Sequence, residues 1–475
     1  MNKKQLIETI HPSVFSREIS IAPLATFRIL FGLMMLISII RFASHDWIFE
    51  QYIKPDFFFT YYGFDWIKPL QGKGMYLVFG LMGISAFGIM TGLFYRICSV
   101  LFFLSFTYVE LIDKTNYLNH YYFVSLVAFL LIFLPAHQYF SLDVLRKPSI
   151  EKKQVPAWTL TILKFQLGIV YFYAGLAKLN YDWLVNALPL KIWLPAKSNL
   201  PLIGWVFNTK WAPYLFSWCG ALYDLSIPFL LLSRLTRIFA YGAVILFHVL
   251  TALLFQIGMF PYIMILFTLI FFPAQYHQNA IDLLRRIARN FYKNVFNKGI
   301  GFLVHKNETS LKKEPGSYEG NKFSFHQVGK YALYLYILIQ LLLPFRYLCY
   351  PGNLYWTEQG YRFSWRVMLM EKAGYVVFHI YDPVSGKMEQ ANNFTYLTQT
   401  QEKQMSTQPD MILQFAHYLK EKYQEKGFIE PHITAESYVT LNGRRSRPFI
   451  DPAVNLVEIK EGWKHKEWIL PADFK

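Results

Sequence analysis

The sequence predicts a polytopic α-helical membrane protein with about nine transmembrane helices and a C-terminal, mostly-β domain outside the membrane. Three observations lead to this prediction. First, 54% of the 475 residues are apolar and 16% are charged, whereas a typical soluble domain is about 45–50% apolar and about 25% charged. Second, the apolar residues are grouped in stretches close to the roughly 20 residues that cross a bilayer. Third, after residue 346 the pattern changes to short alternating segments, which is typical of β-strands.

Nine stretches approach the length of a membrane span, although the third and the last two are short. They are residues 21–40, 75–94, 97–112, 120–134, 158–179, 212–232, 238–255, 260–272 and 331–345. We therefore predict that residues 1–345 form a multi-helix transmembrane domain. With a cytoplasmic N-terminus, the lysines and arginines of the inner loops outnumber those of the outer loops, as the positive-inside rule requires. An odd number of spans then places the C-terminus outside the cytoplasm.

Two extramembrane regions are predicted. Residues 274–328 are basic and polar and end in a stretch rich in Gly, Ser and Lys, which indicates a flexible cytoplasmic loop. Residues 346–475 are predicted to form an extracytoplasmic, β-rich domain that docks a substrate. The Asn-Gly pair at residues 442–443 is a strong hairpin-turn signal. One helix is predicted over residues 411–423, where apolar residues follow helical spacing, and Gly427 is expected to end it.

Several classes of function are excluded. The formal charge of +16 would suit a nucleic-acid partner, but the basic residues lie in alternate loops between apolar segments, which indicates membrane orientation and no nucleic-acid binding. The sequence has no glycine-rich nucleotide loop, no HExxH zinc motif and no GxSxG motif. Its three cysteines are too scattered for a zinc site, so no metal is expected. Any chemistry is therefore predicted to lie in a membrane pocket.

Ionisable side chains within a span are costly, so they usually face a cavity, a partner or the interface. Lys178 lies near the outer end of the fifth predicted span. It has two interpretations: an amine that reaches to the lipid headgroups, or, in an apolar pocket that favours the neutral amine, a base that accepts a proton. Asp224 in the sixth span is expected to pair with a neighbouring helix rather than react, and Gln166 is expected to bridge two helices.

Two histidines are candidate site residues. His120 follows Asn119 at the head of the fourth predicted span. A histidine at an interface is often structural, but this pair of residues also has the chemistry to direct an amide and an imidazole at one ligand. His248 lies deeper within its span and is the stronger candidate.

An arginine-rich segment lies in the predicted outer domain, at Arg444, Arg445 and Arg447. Guanidinium groups pair carboxylates through two hydrogen bonds, so this segment is a candidate docking patch for an acidic peptide. The alternative is a solvated rim of the hairpin.

Six stretches in order along the chain carry a family resemblance. They are FRILFGLMMLI, YRICSVLFFLSFTYVELIDKTNYLNHYY, QLGIVYFYAGLAKLNYDWL, FHVLTALLFQIGMFPYIM, LYWTEQGYRFSWRVML and PFIDPAVNL. Together these stretches resemble the vitamin K-dependent gamma-carboxylase family over about residues 20–470. The resemblance implies a polytopic membrane enzyme with an extramembrane β-rich domain. It also implies that oxygenation of vitamin K hydroquinone to the 2,3-epoxide is coupled to carboxylation of protein glutamate to gamma-carboxyglutamate.

The resemblance also implies roles for residues of the membrane pocket. Lys178 matches the family lysine that deprotonates the hydroquinone. Asn119 and His120 match an Asn-His pair near the quinone, and His120 is included with Lys178 as catalytic. Tyr171 and His248 fall on matching pocket positions. The implied cosubstrates are reduced vitamin K, a menaquinol- or phylloquinol-type hydroquinone, together with O2 and CO2.

The protein-substrate side carries both matches and departures. Tyr361, Ser364 and Trp365 fall on a segment that the family associates with the glutamate substrate. Arg366 stands where the resemblance leads us to expect an acidic residue. Trp66 stands where one partner of a disulfide in the animal members is expected, so that crosslink is predicted to be absent.

Two further functions remain open from the sequence. One is a membrane oxygenase that epoxidises the quinone without carboxylation. The other is a non-catalytic receptor or transporter of lipids, for which inverted repeats would be expected. The few cysteines and the absence of a long tail after the PFIDP stretch favour a bacterial plasma membrane over the endoplasmic reticulum.

Overall fold

The computed structural model describes Phe15 and residues 17–255, 257–296 and 327–472. In chain order, the main helices of the apolar part are α1 (Ala22–Ser44), α2 (Gly74–Thr91), α3 (Tyr95–Ile112), α4 (Asn119–Phe133), α5 (Trp158–Lys178), α6 (Ala212–Leu232), α7 (Arg237–Leu254), α8 (Phe260–Phe267), α9 (Ala274–Phe296) and α10 (Gln327–Leu342). Within these described ranges, seven helices are long and apolar enough to cross a membrane: α1, α2, α3, α5, α6, α7 and α10, the last extended to Cys349 by a 3₁₀ segment.

The predicted count of nine spans is not confirmed, because two predicted spans fall short. Helix α4 is apolar but has only 15 residues. Helix α8 continues through a 3₁₀ turn to Phe271 and then meets α9 at a bend of 113°. Phe272, at the break, has extended backbone and precedes Pro273, a position where proline disfavours helical geometry. Counting the bent pair as one span gives up to eight spans among the described residues.

The predicted flexible loop over residues 274–328 is partly helical. Residues 274–296 form α9, in which Ile281 is buried in the core while Arg286 and Arg289 are exposed. This amphipathic pattern explains the helix, since one apolar face packs against the bundle. The Gly, Ser and Lys stretch of the predicted loop lies outside the described residues.

Small residues and buried polar groups hold the helices together. A Cβ atom on Gly175 of α5 would lie 2.7 Å from the backbone nitrogen of Leu225 in α6. Glycine at this position therefore allows the two helices to approach closely. The Tyr336 hydroxyl of α10 donates to Gln166 Oε1 of α5 at 2.7 Å, which confirms the expected bridging role of Gln166.

The C-terminal region contains the predicted sheet. Its strands are β3 (Lys372–Tyr381), β4 (Met388–Gln390), β5 (His432–Leu441) and β6 (Arg447–Pro448), after a short pair β1 (Glu18–Ser20) and β2 (Gln154–Pro156) in the N-terminal part. The four strands are antiparallel in the order β4-β3-β5-β6. Alternate side chains of β5 are buried, as expected for a sheet with one covered face.

Local signals in this region also agree with the sequence. Helix α11 (Pro409–Glu425) covers the predicted helix, and Gly427 follows it with φ +86°. Asn442 and Gly443 both have positive φ, 53° and 71°, in the turn between β5 and β6. Such angles suit the tight turns that match strand twist.

A buried charge cluster joins the C-terminal region to the turn after α3. Asp410, at the start of α11, pairs with Arg362 Nη1 at 2.7 Å and with Lys114 Nζ at 3.0 Å. The Lys114 side chain is buried, and Asp410 is the nearer of its two carboxylate partners, since Glu461 Oε1 lies 3.9 Å from Nζ. Burial alone would raise the pKa of Asp410, but the two neighbouring cations outweigh it and hold that pKa well below its usual range. Ionised Asp410 therefore stabilises this contact.

Asp410→Asn should lower the free energy of unfolding by about 3 kcal/mol at neutral pH, because it removes the nearest counter-charge of two partly desolvated cations. The folded-state pKa lies below the unfolded value of about 3.9. The contribution is therefore complete well above that pH and disappears as the pH falls through and below it. Thermal unfolding of the detergent-solubilised wild type and variant at pH 7 and at several pH values well below the unfolded pKa of about 3.9 should show the difference shrinking progressively in acid. Glu425→Gln, which removes an exposed pair with Lys422, is the control and should change little. An equal effect of the two substitutions would contradict the assigned role of Asp410.

Candidate functional site

Lys178 forms a buried ion pair. It is the last residue of α5 and only 6% exposed, and its Nζ lies 2.5 Å from Oδ2 of Asp224, which is 4% exposed on α6. The amine also lies 5.4 Å from the ring centre of Trp183. Helix α5 ends here because Asn180 caps the next short helix, accepting from the Trp183 backbone N–H at 2.9 Å. The Lys178 side chain thus turns inward between two helices.

The expected pairing of Asp224 with a neighbouring helix is confirmed, and the partner is Lys178 itself. Sequence reasoning treated the two residues separately. Each lies in a different apolar stretch, and nothing in their spacing shows that Gly175 brings the stretches together. Because the pair is neutral as a whole, it can stay buried whether its proton lies on the amine or on the carboxylate.

Four aromatic side chains form a second feature, which we call the aromatic cluster: Tyr171, His120, His248 and Phe260. The Tyr171 hydroxyl lies 2.9 Å from Nε2 of His248. The ring centre of His248, on α7, lies 5.8 Å from that of Phe260. The ring centre of His120, on α4, lies 5.7 Å from that of Phe260. Nδ1 of His248 is buried and has no hydrogen-bond partner among the described residues. The aromatic cluster therefore combines flat ring faces with one imidazole nitrogen, Nδ1 of His248, that has no hydrogen-bond partner among the described residues.

The ion pair and the aromatic cluster are connected through α5 and α6. Tyr171 and Lys178 are seven residues apart on α5, or about 10 Å along the helix axis. Tyr223, which precedes Asp224, packs its ring against Tyr171 with centres 5.9 Å apart. Ring contacts and a hydrogen bond thus link three of the predicted pocket residues, Tyr171, His248 and His120. Lys178 joins them through Asp224, the chain neighbour of Tyr223.

The side-chain amide of Asn119 contacts the C-terminal region. Its Nδ2 donates to the backbone carbonyl of Arg366 at 2.8 Å, and its Oδ1 accepts from the Tyr117 hydroxyl at 3.1 Å. The same hydroxyl accepts from the Phe363 backbone N–H at 2.8 Å. The amide of Asn119 therefore holds the segment Tyr361–Arg366 against the start of α4, next to His120.

The segment that contains Tyr361, Ser364 and Trp365 has an unusual backbone. Phe363 and Trp365 have φ of 63° and 59°, in the left-handed region that side chains other than glycine rarely adopt. Trp365 is buried and stacks on Tyr122 with ring centres 4.9 Å apart. The Ser364 hydroxyl donates to the Tyr361 carbonyl. Such strain persists only where surrounding contacts hold it, and it is common at functional sites.

The three predicted docking arginines do not behave alike. Arg444 forms two hydrogen bonds with Asp182, at 2.8 Å and 2.5 Å, and so fixes the β5–β6 turn to the segment after α5. Burial raises the pKa of Asp182, but hydrogen bonds from Arg444 and Asn442 outweigh it and lower that pKa. Arg445 and Arg447 are exposed. The structure therefore uses Arg444 as a structural contact.

Comparison with known families agrees with this architecture. The family model of the HTTM domain matches residues 16–276, and that of the vitamin K-dependent gamma-carboxylase lumenal domain matches residues 325–475. No solved structure matches the chain. The fold and the site define a multi-pass membrane protein with a buried amine and an attached extramembrane domain. The two matches together show that the chain belongs to the vitamin K-dependent gamma-carboxylase family, and its domains indicate a carboxylase that uses vitamin K.

The interaction between Lys178 and Asp224 can be tested by a double-mutant cycle of stability. Lys178→Met and Asp224→Leu should each lower the free energy of unfolding by about 3–5 kcal/mol, because each leaves one buried charge unpaired. The double variant should be much more stable than the sum of the single losses predicts. Denaturant unfolding in micelles measures the stability of the four proteins in the cycle: wild type, the two single variants and the double variant. Additive losses would show that the two side chains do not pair.

Proposed function

We propose that this protein is a glutamyl carboxylase that couples epoxidation of vitamin K hydroquinone to carboxylation of glutamate in a protein or peptide. The observation that carries the proposal is the buried Lys178–Asp224 pair, which lies beside the aromatic cluster at positions that match the family's base and pocket. The two family matches, which cover both parts of the chain, support the same reaction.

The residues of the site fit a flat, apolar quinol. Tyr171, His248, Phe260 and His120 offer ring faces and edges, with which a naphthoquinol ring packs favourably. The unpartnered Nδ1 of His248 is an available hydrogen-bonding group. When bound, reduced vitamin K reacting with O2 supplies the strong base that removal of a glutamate γ proton requires. The chain's own groups bind the ring and manage the first proton.

Lys178 and Asp224 are suited to that first proton transfer. Moving a proton from Lys178 Nζ to Asp224 Oδ2 over 2.5 Å gives a neutral amine and a neutral carboxylic acid. The amine then accepts the proton of a hydroquinone hydroxyl, which is far more acidic than the γ carbon of glutamate. The positive charge regenerated on Lys178 is stabilised by the Trp183 ring nearby. Asp224 thus acts as a partner that makes the amine available.

Exclusion of water is the second requirement, because bulk water would quench a strong base. Lys178, Asp224 and His248 are all at least nine-tenths buried. Trp365 is also buried, and Asn119 holds the segment around it next to His120. A buried, preorganised environment of this kind protects reactive species from solvent.

Lys178→Ala should reduce epoxide formation and glutamate-dependent CO2 fixation together, by about 100-fold to 10,000-fold, the usual effect of losing a general base. Lys178→Arg should restore neither activity, because a guanidinium remains protonated. Lys164→Ala, on the same helix but facing Phe271, is the control and should keep both activities. Product analysis after incubation with vitamin K hydroquinone measures the two rates. Full activity of Lys178→Ala in both assays would exclude this lysine as the base.

The reaction itself is tested with purified wild type given reduced vitamin K, O2, labelled CO2 and a glutamate-containing peptide. We expect epoxide and labelled peptide in parallel. Epoxide without labelled peptide would select a quinone-epoxidising oxygenase that does not carboxylate. Neither product from well-folded protein would favour a lipid receptor or transporter.

The orientation in the membrane is also a proposal, and it rests on the distribution of basic residues between alternate loops. We propose a cytoplasmic N-terminus and an extracytoplasmic C-terminal region, in a bacterial plasma membrane. A tag placed after Lys475 should therefore react with a membrane-impermeant reagent on intact spheroplasts. Labelling only after lysis would reverse the proposed topology.

A further inference from the structure

A cavity of about 240 Å³ lies where the end of α5 meets the C-terminal region. Its apolar wall comes from the last turns of α5 and from residues 344–345, and its polar wall comes from Asn180, Tyr355, Ser364 and Arg366. Lys178 does not line it, because that side chain turns toward Asp224. The cavity is therefore separate from the ion pair, although both lie at the same end of α5.

Arg366 is the unusual residue of this cavity. It is 8% exposed, and its guanidinium carbon lies 4.4 Å from the ring centre of Tyr347. Nη1 donates to the Tyr355 hydroxyl at 3.2 Å, while Nε is buried and has no hydrogen-bond partner within the described ranges. No carboxylate in the described part of the chain forms an ion pair with it. A buried guanidinium in this state has donors left for a ligand.

Other buried cations of the described residues differ from Arg366. Lys178, Lys114 and Lys372 each pair with a carboxylate, at 2.5 Å, 3.0 Å and 2.9 Å respectively. Arg28 in α1 donates to three backbone carbonyl oxygens at the end of α2 and nearby. Arg366 has one hydroxyl acceptor and neither a carboxylate nor a carbonyl acceptor among the described residues. Because burial of an unpaired charge is costly, this state points to a ligand that supplies an anion.

We infer that this cavity binds a carboxylate group through Arg366, and that the carboxylate is the side chain of the glutamate in the peptide substrate. A planar guanidinium matches a carboxylate through two parallel hydrogen bonds. On the same wall, Asn180 Nδ2 donates to the Tyr355 hydroxyl at 3.3 Å, so the cavity offers two further polar groups to a ligand. This inference rests on the proposed function for the identity of the ligand, whereas the carboxylate chemistry follows from the cavity.

The location suits a substrate of the Lys178 site. The Tyr355 hydroxyl donates to the carbonyl of Ala177 at 3.2 Å, directly before Lys178 in the chain. The carbonyl of Arg366 is held by Asn119, the neighbour of His120. Arg366 therefore lies between the end of α5 and the start of α4, the two elements that carry Lys178 and His120. As a specificity residue, it would hold the glutamate at this end of the site.

The inference is tested by equilibrium binding, with no hydroquinone, O2 or CO2 present. Protein in lipid nanodiscs is titrated with a fluorescent peptide that carries one glutamate and with the same peptide carrying glutamine. Wild type should bind the glutamate peptide about 10-fold to 100-fold more tightly, the usual effect of hydrogen bonds to a charged group. Arg366→Met should abolish this preference, and Arg366→Lys should reduce it. Arg234→Met, at an exposed arginine remote from the cavity, should retain it.

Stability supplies a second measurement. Because Arg366 has no carboxylate partner among the residues that the structure describes, Arg366→Met should be at least as stable to heat as wild type in the absence of peptide. A variant that unfolds, or is clearly less stable, would overturn the inference by showing that the free protein already satisfies this charge. An unchanged preference for glutamate in a folded Arg366→Met protein would also overturn it.

Competition by free glutarate identifies the source of the carboxylate. We expect glutarate to displace the peptide only at concentrations far above the peptide's own dissociation constant. If glutarate displaced the peptide from wild type at a concentration equal to that of the peptide, and did not do so from Arg366→Met, the site would be assigned to a small free carboxylate instead. Loss of carboxylation in the reaction assay, with the binding preference intact, would reject the proposed function while leaving the carboxylate site in place.

Discussion

The buried ion pair between Lys178 and Asp224 is the constraint on which the rest of the site depends. Either charge alone would be costly within an apolar bundle, so the two helices that carry them must stay in register and in close contact. Gly175 meets this requirement, since any side chain there would collide with the backbone of α6. The same contact brings Tyr171 against Tyr223, and through Tyr171 it positions His248. The close contact of α5 and α6 around this ion pair therefore also positions the aromatic cluster.

The C-terminal region contacts the helical part next to His120. The segment from Tyr361 to Arg366 is held in a strained conformation by Asn119 and Tyr117, which belong to the helical part. The Asp410 cluster and the Asp182–Arg444 pair attach the same region at two further points. These contacts connect residues far apart in the chain and fix the C-terminal region to the helical part at three points.

Hydropathy and local turn chemistry predicted much of the fold but less of the site. Seven spans, the sheet, helix α11 and the turn at Asn442 follow from short-range patterns, which a single sequence records directly. The count of spans was less well predicted, because a mostly apolar stretch of 13 residues, such as residues 260–272, has the same pattern whether or not it crosses a bilayer. The resemblance singled out Lys178, but its partner, the amide contacts of Asn119 and the structural use of Arg444 depend on tertiary contacts between distant segments. The spacing of residues along the chain does not predict such contacts.

The central claim is that Lys178, released from its proton by Asp224, takes a proton from bound hydroquinone. The most direct measurement is an anaerobic titration that follows the ultraviolet absorption of vitamin K hydroquinone bound to wild type and to Lys178→Met. Without O2 the reaction stops after binding, so the spectrum reports only whether the bound hydroquinone has ionised. The account predicts ionisation on wild type at a pH where the free hydroquinone is still neutral, and none on the variant. Identical spectra for the two proteins, with equal binding, would contradict it.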